Sequence, residues 1–87
     1  MEDIDPKTKV LVFIPALVAV LAHAERTLGR PLTEPETLLL RDSANCVVMA
    51  YELALAGEEA RGYRDIVAED AWNEWRMVRK QIPGLPV

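Results

Sequence analysis

The sequence has one cysteine, Cys46, one histidine, His23, one serine, Ser43, and four scattered glycines in 87 residues. A lone cysteine excludes an internal disulfide, and one cysteine with one histidine excludes a Cys/His zinc centre. Glycines spread singly build no phosphate-cradling loop, and Ser43 has no Gly-x-Ser-x-Gly frame around it. Cys46 lies in Ser43-Ala44-Asn45-Cys46-Val47, with no helix N-terminus or adjacent base to lower a thiol pKa. It is expected mid-helix as a small buried hydrophobe. Glu58, Glu59 and Asp65 could chelate a hard cation, but no segment has the alternating aspartates of a calcium loop. No metal, no cofactor and no catalytic set is expected.

Long apolar runs are also scarce. The longest, Val10 to Ala22, contains Pro15 and falls short of the ~17 residues a spanning helix needs. The acidic start Met1-Glu2-Asp3-Ile4-Asp5 is unlike the basic opening of a secretory signal. Together with the unpaired thiol, this points to a reducing cytoplasm.

Positive charge is in deficit, with a formal net charge of −4. A phosphate-backbone binder needs the opposite balance, so no nucleic-acid partner is expected. The deficit sits in the middle third, where Glu34, Glu36, Asp42, Glu52, Glu58 and Glu59 face Arg41 alone. Such a stretch is either a solvated helix face or a docking surface for a basic partner or a basic patch of a sister subunit.

What is abundant is apolar surface, at 51% of residues. That composition folds, but a core this small supplies only a few kcal/mol, and with no disulfide the remaining support is another chain. Apolar residues recur at helical spacing in three segments, which predicts an all-α domain, a compact three- or four-helix bundle over residues 1–87. Fraying is expected at about 1–5 and 83–87.

The first helix is expected to begin near Pro6 or Lys7 with Asp5 as cap, and to end at Leu28 before Gly29. Pro15 leaves two alternatives. Either the helix kinks there, or it starts at Ile14 and the β-prone run Val10 to Phe13 is extended. Apolar residues cover so much of 10–22 that this segment is either central or shared with a second copy in a homodimer or higher oligomer. The second helix opens on the capping box Thr33-Glu34-Pro35-Glu36. It runs from Glu34 to Ala60, or bends or restarts near Ala50 and Tyr51, with Gly62 as the final stop. A third helix spans about Val67 or Ala68 to Gln81, with Glu69 and Asp70 in its first turn and Arg76, Arg79 and Lys80 in its last.

Two clusters invite function. Arg61, Tyr63, Arg64 and Asp65 crowd one connection and could bind a small anion or a partner's acids. In the plainer alternative Asp65 caps the third helix, the arginines pair with Glu58 and Asp65, and Tyr63 packs on the core. Trp72 and Trp75 share one helix face, as core anchors with Arg76 and Arg79 four residues along able to lie over the rings, or alternatively as an interface hot spot. A helix-turn-helix reader using Arg76, Arg79 and Lys80 is disfavoured because the N-terminal half of that helix is acidic.

The expectation is therefore a small acidic non-catalytic protein-binding module, of the inhibitor, immunity-like or adaptor kind, that self-associates. Its partner-binding residues are Glu34, Glu52, Glu59, Arg61, Tyr63, Arg64, Trp72 and Trp75. The alternative is an anion-binding protein or enzyme with a pocket at Arg61, Tyr63, Arg64 and Asp65.

Overall fold

The computed structural model describes residues 7–87, so the cap at Asp5, the helix start at Pro6 and the fraying of 1–5 lie outside the described residues. In chain order the elements are β1 (Lys9–Phe13), α1 (Leu17–Leu28), α2 (Glu34–Ser43), β2 (Cys46–Ala50), α3 (Tyr51–Arg61) and α4 (Ala71–Val78). Two 3₁₀ turns, Ala68–Asp70 and Arg79–Gln81, flank α4.

The fold is mostly helical but not all-α, which corrects the bundle expectation. β1 and β2 pair antiparallel from Lys9↔Ala50 to Phe13↔Cys46, extended by Tyr51 N–H to the Thr8 carbonyl (2.8 Å) and Ile14 N–H to the Asn45 carbonyl (3.0 Å). Both strands are runs of Val, Leu, Phe and Met, and the β-branched side chains favour the pleat over a helix. For the same reason the second helix does not run through Ala50. It stops at Ser43, whose hydroxyl turns back on the Leu39 carbonyl (2.7 Å), and the chain re-enters a helix at Tyr51. Cys46 is therefore on a strand and exposed, not mid-helix and buried. Pro15 lies outside any helix, after a cis Ile14–Pro15 peptide, and α1 starts at Leu17.

Local end signals act where the sequence places them. Gly29 closes α1 at φ 74° and Gly62 closes α3 at φ 83°, both in the left-handed region that favours glycine. The capping box forms in full, with Thr33 Oγ1 accepting the Glu36 amide (3.3 Å) and Glu36 Oε1 accepting the Thr33 amide (2.9 Å).

The core gathers Leu17, Leu21, Ala22, Leu32, Ile66, Ala71 and Trp75, with Phe13, Leu40, Trp72, Ile82 and Leu85 packed around it. Burying each such leucine contributes roughly 1.5–3 kcal/mol. α2 packs on α1 and α4, and Arg41 ties it to the turn before α4 through the Ala68 carbonyl (3.0 Å). The tail is held at Leu85 and at Pro86, whose carbonyl accepts Arg79 Nη2 (2.6 Å), while Val87 is fully exposed. Among the described residues no helix is long and apolar enough to cross a membrane.

Candidate interaction surface

Two carboxylates, the buried Glu25 and the half-buried Asp65, join distant parts of the fold. Glu25 sits on α1 with no exposed surface, and its oxygens accept the Leu32 amide (3.1 Å), the Trp75 indole N–H (3.0 Å) and Arg79 through Nε (3.1 Å) and Nη2 (2.7 Å). Burial pushes this carboxyl upward, but the Arg79, Leu32 and Trp75 hydrogen bonds and the Arg79 charge outweigh it and hold the group below its ordinary value. Three parts of the chain, α1, the connection into α2 and α4 with the turn that follows it, meet on this one side chain, and Arg79 in turn holds the tail through the Pro86 carbonyl. Trp75 is thereby inaccessible, so it holds the surface of α4 from behind and offers nothing to another chain.

Asp65 does not cap the third helix. Its carboxylate accepts the amides of Leu17 (2.7 Å), Val18 (2.9 Å) and Ile66 (2.8 Å), supplying the side-chain cap that Ala16 cannot give to α1. The neighbouring side chains turn outward. Arg61 lies 5.1 Å over the Tyr63 ring, Tyr63 is 47% exposed, and Arg64 reaches Glu74 at 3.6 Å. Trp72 is half-buried with Arg76 stacked on it at 5.4 Å.

The acidic middle third is partly neutralised within the chain. Arg30 and the Thr33 amide hold Glu36 down to about 2, and Arg41 pairs with Asp42 at 2.9 Å. No ion pair forms on Glu34, Glu52, Glu58 or Glu59 among the described residues, so three of the four unpaired acids lie on α3.

None of the residues of α3 is buried. One side, with Tyr51, Ala54, Glu58 and Arg61, lines a groove of about 500 Å³ that runs along β1 and is closed by Arg64 to Glu69. At 100° per residue, Glu52, Leu53, Ala56, Glu59 and Ala60 fall on the opposite side. All five are exposed, Leu53 by 62%. The strands under α3 are open as well, with Leu11 at 71% and its cross-strand neighbour Val48 at 62%. A second hollow, of about 580 Å³, lies on α4 between Pro31, Leu32, Trp72, Asn73, Arg76, Met77, Arg79 and Lys80.

Neither the buried Glu25 nor the capping Asp65 has a local mark in the sequence, because the partners that define each role, Trp75 and Arg79 for Glu25 and Leu17 and Val18 for Asp65, lie 47 to 54 residues away. A lone acid inside the apolar stripe of α1 was the one available signal for Glu25. His23 is an exposed residue beside Thr27, at 3.5 Å. Among the described residues no group of three or more His, Cys, Asp or Glu side chains is placed to hold a metal ion. Compared with protein-family models, with curated proteins and with solved structures, the chain finds no match.

Proposed function

We propose that the chain is a small non-catalytic protein-binding module, of the inhibitor, immunity-like or adaptor kind, that docks through α3 and the ribbon beneath it. The observation that carries this reading is a helix with no buried residue. Isolated helices under ~12–15 residues are marginal in water, and Gly57 costs α3 roughly 1 kcal/mol against alanine. The two-stranded ribbon is equally marginal without a further layer. Another chain laid on this arm would supply the burial that both elements lack. Glu52 and Glu59 give the arm the sign to steer a basic surface onto it.

Self-association fits the same arm better than the whole of residues 10–22, since Leu17, Leu21 and Ala22 fill this chain's own core while Leu11 and Ile14 are open. The exposed, unpaired Cys46 suits a reducing cytoplasm. Affinity purification with wild type and with Glu52→Lys/Glu59→Lys tests the docking reading. A partner retained by wild type and lost by the variant supports it, and equal capture by both overturns it.

The groove along β1 carries a second reading, a site for a small anion, on Arg61 and Arg64, which line it together with the carboxylates of Glu58, Asp65 and Glu69. Tyr63 is outside that lining and the Asp65 carboxylate is committed to α1. Titration calorimetry with inorganic phosphate separates the readings: heat that disappears in Arg61→Ala/Arg64→Ala supports the anion site.

A further inference from the structure

Resting on the reading of α3 as a docking helix, we infer that its partner is a second copy of this chain, bound through the hollow on α4. The chain carries net negative charge, and α3 contributes Glu52, Glu58 and Glu59, none of them in an ion pair among the described residues, against the single base Arg61. Two such helices repel one another, so α3 has to meet a region of opposite sign. The α4 hollow is that region: Arg76, Arg79 and Lys80 line it and no carboxylate does. Arg79 is spent on Glu25, which leaves Arg76 and Lys80 facing outward, both exposed.

The apolar parts match too. On α3, Leu53 protrudes on the same exposed side as Glu52 and Glu59; on α4, Met77, 69% exposed, and the half-buried Trp72 both line the hollow. Leu53 of one copy enters between Trp72 and Met77 of the other, with Glu52 and Glu59 over Arg76 and Lys80. Two helical turns, about 10 Å, separate Glu52 from Glu59, and the long arginine and lysine side chains span the difference from their own four-residue spacing. An aromatic, an arginine and a methionine around an apolar centre are also the residues enriched where protein interfaces gain their energy. The contact joins two different surfaces, so it is heterologous, and each copy has one of each kind to offer.

That property gives a decisive test by sedimentation velocity on the full chain. Wild type associates as concentration rises. Glu52→Lys/Glu59→Lys keeps a sound α4 hollow but loses α3, Arg76→Glu/Lys80→Glu does the reverse, and each alone sediments as a monomer. All four positions are exposed, and circular dichroism with tryptophan fluorescence verifies that both variants fold. Mixed in equal amounts, the two variants associate again, because the native acidic α3 of one fits the native basic hollow of the other and the two reversed surfaces carry opposite charge as well. A mixture that stays monomeric while wild type associates overturns the inference and places the contact elsewhere. Wild type that stays monomeric up to millimolar concentration overturns it as well. If such a monomer still captures another protein through Glu52 and Glu59, the docking reading stands and this inference alone falls. Binding of random-sequence duplex DNA that depends on Arg76 and Lys80, in place of self-association, is also a refutation.

Discussion

Replacing Glu25 by glutamine leaves the volume of the core unchanged and removes only a charge and one acceptor. In the native structure Oε2 serves Leu32, Trp75 and Arg79 Nε, and Oε1 serves Arg79 Nε and Nη2. A glutamine whose oxygen keeps the Oε2 position turns its NH₂ toward the Arg79 guanidinium, donor against donor. The guanidinium, one-fifth exposed, then has no counter-charge. Removing one partner of a buried pair costs about 3–5 kcal/mol, and the lower end applies because Arg79 still reaches solvent and the Pro86 carbonyl. A chain of this size has roughly 4–13 kcal/mol in total, so the loss takes a large share. At ~4–8 °C per kcal/mol for a small domain, Tm should fall by roughly 12–24 °C. Urea unfolding followed by tryptophan emission measures it, since Trp75 leaves a fully buried site on unfolding. A Glu25→Gln variant within 0.5 kcal/mol of wild type, as surface changes typically are, would refute the idea that this carboxylate fixes the body of the fold. The double variant Glu25→Leu/Arg79→Met sharpens the point: with no charge left to strand, it should be more stable than Arg79→Met alone.

Other consequences are simpler to state. Asp65→Ala leaves the first amides of α1 without their cap and should cost ~1–2 kcal/mol in the same urea assay, whereas an effect near zero would show that solvent replaces the carboxylate. Glu25 and Glu36 both have folded-state values below the ordinary 4.5, so their stabilisation is present above pH 4.5 and is lost as pH falls below it, for Glu36 as pH approaches about 2. Thermal melts across pH should be flat with respect to these two groups above about 5 and decline below 4.5, and Glu25→Gln should flatten that decline. Cys46 should react with an aromatic disulfide reagent in the native protein without urea, which a buried mid-helix thiol would not do.

Features set by neighbouring residues were legible in the sequence. The Thr33–Glu36 capping box and the left-handed stops at Gly29 and Gly62 need only local chain, and all three form. The restart at Tyr51 and the extended run before Pro15 stood among the alternatives for the same reason. What was not legible depends on partners far along the chain. Val10 to Phe13 reads as helix or strand until Cys46 to Ala50 comes alongside, and that pairing turns an all-α expectation into a mixed one. Trp75 reads equally well as anchor or hot spot until Glu25 takes its indole N–H. Asp65 reads as a cap for the helix that follows it, whereas the amides it meets belong to α1. Of the candidate surface, the acids Glu52 and Glu59 and the arginine on Trp72 were visible as residue types at helical spacing. Their segregation onto two separate surfaces required the fold.

The claim that α3 is carried outside the core, for another chain to cover, is tested most directly by amide hydrogen exchange across Tyr51–Arg61 as protein concentration is raised. The account predicts that these amides exchange fast in dilute protein, far faster than those of α1, and become protected as association proceeds. Protection of α3 equal to that of α1 in the dilute monomer would contradict it.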